Sequence, residues 1–492
     1  MIKYLEKILD GKKYRFAIFA FIFGAFSTYA LAPFHLTFTL FIGLSALYLL
    51  LTMSSTNFRA AMTGYCFGLG YFGFGLSWIA NALLVEGNEY AWLWPIAVAG
   101  LPLGLSFFTA FACYLSKKML NLRHVSGYIG FILFMFSSEI LRGYIFTGFP
   151  WNLFGYIWAE NLEIIQIVHL WNIYLLTGLT LFWCSAPGFV IISENKTRYK
   201  IIIICLAFIS FSGNYIYGLQ RLAQNPTQYS ENVKFILIQP NIKQSEKWKS
   251  DKILDHFSNQ LATISKSLLQ EKDGHDIYVV LPETAFPPFV MEHPKAKESI
   301  ANSLSVYQGN VFLIAGVLRY KKEENSYFNS IVMFGKNAEI IDIYDKHHLV
   351  PFGEYIPFDN IFSIAPIVGF SGFKAGLGPK TVKTRSDFSY IPAICYEAIF
   401  PRSFSGKNNA GQLAMVNVTN DAWYGESAGP YQHSAQVKFR AIEQNTPLIR
   451  VANTGITALY DPFGRALKVT DMHEDVVISH LLPLPNKRAS NP

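Results

Sequence analysis

Charge is what this sequence lacks most. Only 15% of its 492 residues are Asp, Glu, Lys or Arg, whereas 51% are hydrophobic and 42 are Phe. Such a composition excludes a disordered chain, which needs high charge and few aromatics. Cysteine is also scarce: Cys66, Cys113, Cys184 and Cys205 fall in apolar stretches and only Cys395 in a polar one. No disulfide framework is readable from that distribution. Repeats and low-complexity tracts are missing as well. The shortage of charge is uneven, because residues 1–221 hold 14 Lys/Arg and 8 Asp/Glu and the remainder holds 27 and 26. Of the formal charge of +7, +6 falls on the apolar part, which argues against a polybasic nucleic-acid surface.

A transmembrane helix needs about 20 mainly apolar residues. Uncharged runs of that order occur at 16–58, 60–85, 91–116, 164–193 and 201–220. The first is long enough for two spans, broken at Ala32-Pro33, because proline removes a helical donor and disfavours helix in the residue before it. A further segment, 127–146, carries Glu139 and Arg142, which are costly in lipid and expected to face the bundle or a headgroup region. About seven spans are expected before residue 221. Lys and Arg alternate between the loops as real spans require. The N-terminus carries Lys3, Lys7, Lys12, Lys13 and Arg15, and the second, fourth and sixth loops carry Arg59, then Lys117, Lys118 and Arg123, then Lys196, Arg198 and Lys200. The first, third and fifth loops carry none. An N-terminus in the cytoplasm and an odd number of spans put everything after Arg221 outside it. The first apolar run lacks an A-x-A exit and is followed by further spans, so it reads as a retained anchor rather than a cleaved signal.

From residue 232 the texture changes to short β-branched runs at 233–238, 277–281, 311–317, 330–334, 339–344, 391–395, 413–418 and 448–453, with helical patterns at 251–271, 296–307 and 432–445. Alternating strands and helices predict a layered α/β domain. The expected division is a helical membrane bundle over 1–221, an extracytoplasmic α/β domain over 222–485 and a tail over 486–492.

Cys395 closes an apolar run and precedes Tyr396-Glu397, a place where a turn exposes a side chain and its amide. A lone cysteine is more often inert core than catalyst. Here it has no partner in its own domain, and outside the cytoplasm an unpaired thiol is a redox liability. A thiol of pKa about 8.5 needs a base and a cation to act as a nucleophile, and no histidine is placed convincingly to help. Glu283 follows the apolar run 279–281, and Lys346 follows Ile343-Tyr344-Asp345. If those strands are parallel neighbours, their ends converge at one sheet edge. Glutamate, lysine and cysteine then make a base, an electrostatic clamp and a nucleophile.

The order Glu283, Lys346, Cys395 resembles the triad of the nitrilase, or carbon-nitrogen hydrolase, superfamily. The phrases Leu-Pro-Glu-Thr-Ala, Asp-Lys-x-x-Leu-Val-Pro-Phe-Gly-Glu-Tyr-Ile-Pro, Ile-Cys-Tyr-Glu and Val-Thr-Asn-Asp-Ala-Trp-Tyr-Gly are similar to its membrane branch, the apolipoprotein N-acyltransferases. So is Gly148-Phe149-Pro150-Trp151-Asn152-Leu153-Phe154-Gly155-Tyr156 in the fifth loop. The resemblance implies a multi-pass α-helical bundle followed by a nitrilase-like α-β-β-α sandwich, without metal or cofactor, in a monomer of the cytoplasmic (inner) membrane. It implies Glu283 as proton acceptor, Lys346 as oxyanion stabiliser and Cys395 as the acylated nucleophile. Glu354 is then a supporting carboxylate, Tyr396 and Glu397 flank the nucleophile, and Trp248 lies near the substrate entrance. The partners so implied are a phospholipid acyl donor and a diacylglyceryl apolipoprotein acceptor, with no nucleic acid. Such proteins usually end in a further transmembrane helix, whereas this sequence ends Leu-Pro-Leu-Pro-Asn-Lys-Arg-Ala-Ser-Asn-Pro. Either the chain is truncated or its C-terminus stays outside.

Several rivals compete. A membrane-tethered amidase or nitrilase would use the same triad with water as acceptor, and a transporter or binding protein would carry the domain in degenerate form. Gly425-Glu426-Ser427-Ala428-Gly429 fits a serine elbow, with Asp461, Asp471, His473 and His480 as partners, but no strand runs directly into the serine. Gly68-x-Gly70-x-x-Gly73, with Gly64 before it, matches a dinucleotide fingerprint, yet inside a span this spacing suits helix packing. His347-His348 would point to opposite faces of a strand, a poor start for a metal site. Glu139 and Arg142 read as a buried helical pair, or more sharply as support for the Trp151 loop.

Overall fold

The computed structural model describes residues 14–85, 91–272, 274–356, 372–384, 388–401, 403–404 and 412–484. The expected tail at 486–492 and the first lysines lie outside these. The chain forms two compact units, one of Met1–Ala80, Trp92–Gln224 and Glu426–Phe439, the other of Asn81–Ala91, Asn225–Gly425 and Arg440–Pro492.

The first unit is helical: α1 (Tyr14–Ser27), α2 (Phe38–Met53), α3 (Asn57–Gly75), α4 (Trp94–Met119), α5 (Val125–Tyr144), α6 (Val168–Ile192) and α7 (Thr197–Gln224). By length and composition four helical stretches can cross a membrane: Ala91–Met119, Val125–Thr147, Val168–Ile192 and Thr197–Gln224. Asn57–Gly75 with Ser77–Leu83 adds a fifth if the pair, bent by 51°, is one span, and Tyr14–Ala30 and Phe38–Met53 are shorter. Gly68 and Gly70 of the fingerprint, with Gly64 before them, pack helices, whereas Gly73 faces open space. A Cβ on Gly64 would stand 2.6 Å from the Thr109 carbonyl oxygen of α4, and one on Gly70 2.1 Å from the Phe21 carbonyl oxygen of α1.

Loops gather at the two ends of this unit. At one end Tyr48 donates to the Leu122 carbonyl (2.5 Å), Lys117 to that of Thr52 (3.2 Å), and Ser193 and Asn195 to that of Arg123 (3.0 and 2.9 Å). At the other, Asn152 donates to the Gly75 carbonyl (3.1 Å), and the indoles of Trp78 and Trp151 both donate to Gln432 Oε1 (3.2 and 2.9 Å). Gln432 donates in turn to the Ala32 carbonyl (3.4 Å). Arg142, buried with Glu139, donates to both oxygens of that carboxylate (3.3 and 2.7 Å) and to the carbonyls of Phe149 (2.6 Å) and Trp151 (2.9 Å). The pair is thus both an intrahelical bridge and the support of the Trp151 loop.

The second unit contains two six-stranded sheets. In the first, β1 (Gln228–Gln239), β2 (Asp276–Val280) and β3 (Val311–Lys321) are parallel, followed by antiparallel β4 (Ser326–Phe334) and β5 (Ile340–Asp345). In the second, β7 (Phe388–Ile394), β8 (Gln412–Thr419) and β9 (Leu448–Ala452) are parallel, flanked by β6 (Val382–Lys383), β10 (Ala458–Tyr460) and β11 (Ala466–Val469). The edge strand β12 (Val476–Leu484) returns to pair with β1. Strand residues alternate faces. Phe235 and Leu237 therefore meet Tyr390, Val416 and Val451 between the sheets, while Ile236 and Ile238 pack under α8 (Ile253–Leu269) and α9 (Pro294–Ser305). Burial on both faces explains the unbroken apolar runs. With the last residues of α10 (Ala428–Gln444), from Arg440 onward and including buried Ala441 and Ile442, the unit is an α-β-β-α sandwich.

Candidate active site

The three expected reactive side chains follow the ends of strands in two facing sheets, not neighbouring strands of one open sheet. Glu283 follows β2 and Lys346 follows β5, with β3 and β4 between those strands, while Cys395 follows β7 of the other sheet. Convergence at a single sheet edge is therefore corrected to convergence across the sandwich.

The path of the chain after β2 closes the gap within the first sheet. It passes over β3 at Gly316, where an added Cβ would stand 2.3 Å from the Pro282 carbonyl oxygen and 2.6 Å from Glu283 Cα. Only glycine permits that crossing, and Thr284 completes it with φ +48°. Glu283 Oε1 then accepts from Asn329 Nδ2 of β4 (2.7 Å), and Oε2 from the backbone amide of Asn420 just after β8 (2.7 Å). Lys346 Nζ lies 2.8 Å from Glu354 and 3.9 Å from Glu283 Oε1. Glu354 is fixed by the Val350 amide (2.8 Å) and by Asn329 Nδ2 (3.2 Å).

Cys395 opens a 3₁₀ turn, Cys395–Ile399, with φ +50°. Residues bearing a Cβ hold this region at a cost of about 1–3 kcal/mol. Glu397, fully buried, holds the turn by accepting from the Ile394 amide (2.7 Å). It also accepts from the amides of His347 (2.9 Å) and His348 (3.1 Å) and from the Tyr344 hydroxyl (2.9 and 3.0 Å). One carboxylate thereby ties the cysteine turn to the segment that carries Lys346. Tyr396 is buried edge-on to His348 and Phe400. The Tyr424 hydroxyl stands 4.0 Å from Cys395 Sγ.

Electrostatics separate the roles. Burial pushes the Cys395 thiol up to about 12, with the Glu283 charge adding to the rise and Lys346 and Thr419 opposing it. Burial thus favours the protonated thiol at rest. For Lys346, burial acts to lower the pKa, but the charges of Glu354 and Glu283 outweigh it and hold the ammonium above its ordinary range. Burial, with His347 and Lys346 nearby, pushes His348 down to about 4, leaving a neutral ring stacked 3.9 Å from Phe400. His347 Nδ1 pairs with Glu397 at 2.5 Å. Among the described residues no three His, Cys, Asp or Glu side chains are grouped to hold a metal.

Sequence reasoning overlooked Lys247. Trp248 is half-buried, with the Lys247 ammonium 5.6 Å from its ring centre. It is Lys247, not Trp248, that reaches the glutamate turn, donating to the Glu283 carbonyl (3.1 Å) and the Thr284 hydroxyl (2.7 Å). Burial lowers its pKa to about 8, with Glu283 opposing. The signal was its place beside Trp248 in Gln244-Ser245-Glu246-Lys247-Trp248. Asn329 had no comparable signal. Of the serine elbow, Ser427 Oγ accepts from the Gly429 amide (3.1 Å) at the start of α10, after a 3₁₀ turn, Asp421–Tyr424, rather than a strand. Asp461 is spent on Thr227, Arg465 and the Phe463 amide.

Comparison with known proteins shows which family the chain belongs to. The family description "Apolipoprotein N-acyltransferase N-terminal domain" matches residues 23–186, and "Carbon-nitrogen hydrolase" matches residues 237–486. The chain is 35% identical to the apolipoprotein N-acyltransferase of Rhodopseudomonas palustris, over 95% of this chain and 90% of that protein. It is also 35% identical to that of Brucella melitensis biotype 1, over 97% and 91%. Among solved structures, Saccharomyces cerevisiae Nit3, a member of branch 10 of the nitrilase superfamily, aligns with a TM-score of 0.40 at 16% identity, covering 52% of this chain and 91% of its own. By identity along nearly its whole length, the chain belongs to the apolipoprotein N-acyltransferase family.

Proposed function

We propose that this protein is an inner-membrane acyltransferase that moves a fatty acyl group from a phospholipid to the N-terminal amine of a diacylglyceryl-cysteine on an apolipoprotein, through a thioester on Cys395. The observation that carries the reading is the set of contacts holding Glu283 beside Lys346 (3.9 Å), with both groups electrostatically coupled to the Cys395 thiol.

Glu283 takes the thiol proton as sulfur attacks the ester carbonyl, and Lys346 balances the oxyanion. Collapse breaks the ester C–O bond, and Glu283 returns the proton to the departing lysophospholipid. In the second half the acceptor amine attacks the thioester and yields its proton through Glu283. The C–S bond breaks and the amide leaves Cys395 as thiol. Asn329 and the Asn420 amide hold the two oxygens of Glu283, so the base starts in place. Every group used belongs to one chain, and a monomer suffices. The N-terminus faces the cytoplasm and the sandwich faces outward. Alternation of Lys and Arg between successive loops supports that orientation.

A labelled phospholipid supplied with a synthetic diacylglyceryl-cysteine peptide tests the reading. The expected products are N-acylated peptide and lysophospholipid in equal amounts, whereas a peptide whose amine is acetylated gives no N-acylated product and at most one lysophospholipid per enzyme. Free fatty acid as the sole acyl product would instead establish a tethered hydrolase.

A further inference from the structure

We propose that the cavity at the C-terminal end of α4 binds the headgroup of an anionic phospholipid, at a place separate from the sandwich and from its chemistry. The cavity measures about 360 Å3 and is lined by Thr52, Lys117, Lys118, Leu122 and Arg123 among others. This lies within the usual range of small-molecule sites, about 300–1,000 Å3. Three cations face one space. Arg123 is paired with Glu194 at 2.9 Å, whereas among the described residues Lys117 meets a backbone carbonyl and Lys118 an aromatic ring rather than a carboxylate. Lys117 Nζ is fixed on the Thr52 carbonyl (3.2 Å), and Lys118 stands 5.5 Å from the Tyr114 ring centre.

The wall is preformed. Leu122 is buried and its carbonyl accepts from Tyr48 (2.5 Å), while the Arg123 carbonyl is held by Ser193 and Asn195. A Cβ on Gly127 would stand 2.0 Å from the Asn121 carbonyl oxygen, so α5 starts hard against this loop.

A second observation selects a lipid over a free anion. Leu103, Phe107 and Phe111 recur every four residues along α4 and are 44%, 65% and 56% exposed. Lys118, seven residues after Phe111, falls on the same helical face. An acyl chain lying along this exposed stripe delivers its phosphate to the lysines. Basic pockets at helix ends bind acidic headgroups by this combination of charge and apolar contact.

The test uses the full chain in neutral detergent, in a Cys395→Ala background so that no lipid is consumed. Native mass spectrometry counts bound phosphatidylglycerol, phosphatidylcholine and inorganic phosphate. Lys118→Gln, which removes an exposed side chain with no described backbone hydrogen bond, is expected to weaken one phosphatidylglycerol site about fivefold, and Lys117→Gln with Lys118→Gln about twentyfold. Neutralising Lys196, Arg198 and Lys200 together leaves binding within twofold. With Cys395 restored, acyl transfer by Lys118→Gln is unchanged. An equal loss on neutralising the other basic loop, equal affinity for phosphatidylcholine, or displacement of the lipid by inorganic phosphate would each overturn the proposal.

Discussion

Arg142 in the helical unit and Lys346 in the sandwich are equally buried, each 1% exposed, and each faces a carboxylate within 2.8 Å. They differ in how their donors are used. Arg142 places its guanidinium on both oxygens of Glu139 and on two loop carbonyls, and its flat face lies 5.0 Å from the Phe72 ring centre. Its neighbours are all structural. Lys346 binds Glu354 closely, stands farther from Glu283, and shares its field with a thiol. A buried charge by itself does not mark chemistry. What sets Lys346 apart is a second carboxylate at 3.9 Å and the nearby thiol of Cys395.

Replacement of each cation sharpens this contrast. Lys346→Met removes the proposed counter-charge of the oxyanion and is expected to lower the rate of thioester formation about 10²–10³-fold, measured as acyl-enzyme appearing after phospholipid is added. Because it also leaves Glu283 and Glu354 facing each other, replacing Glu354 as well does not restore the rate. Arg142→Leu leaves Glu139 buried without a partner, which costs about 3–5 kcal/mol of stability, read by thermal unfolding in detergent. Here the double variant with Glu139→Leu recovers much of that loss, and the acylation rate per folded molecule stays within severalfold of wild type. If the double replacement rescues the sandwich pair and not the helical one, the comparison is inverted and fails.

Lys247 gives a smaller effect with a defined sign. Its folded pKa of about 8 lies below the ordinary 10.5, so the unfolded chain binds the extra proton between those values. The buried ammonium is therefore a cost to the fold below about pH 8, relieved as pH rises toward 10.5. Wild type should gain roughly 3 kcal/mol at most over Lys247→Met across that window. Acylation should decline over the same range, as the Glu283 carbonyl and the Thr284 hydroxyl lose a charged donor. Lys247→Arg keeps its charge and should flatten that limb. The smallest effect is expected for Ser427→Ala, whose acyl-adduct yield stays within twofold of wild type, since this serine caps a helix.

Much of this was legible in the sequence where the signal is local. All eight runs from 233 to 453 became strands, most of them because a strand buried on both faces is largely apolar, although β5 stays partly exposed. Glu283, Lys346 and Cys395 each follow such a run, and the resemblance supplied their order. What escaped was either short or relational. β10 has three residues, and β11 and β12 lie at sheet edges with mixed exposure, so neither length nor alternation announces them. Gly316 reads as an ordinary strand glycine until another segment crosses it. Asn329 lies in a strand like any other, and its side chain acquires meaning only when Glu283 and Glu354 arrive from distant parts of the chain. Residues near reactive groups in sequence could be named. Those near them only in space could not.

Intact-protein and peptide mass spectrometry after brief exposure to phospholipid, with no acceptor present, addresses the central claim most directly. One acyl chain on the peptide containing Cys395, released by hydroxylamine and missing from Cys395→Ala, is the expected result. An acyl group on the Ser427 peptide, or a Cys395→Ala protein that still acylates the lipopeptide, would contradict the account.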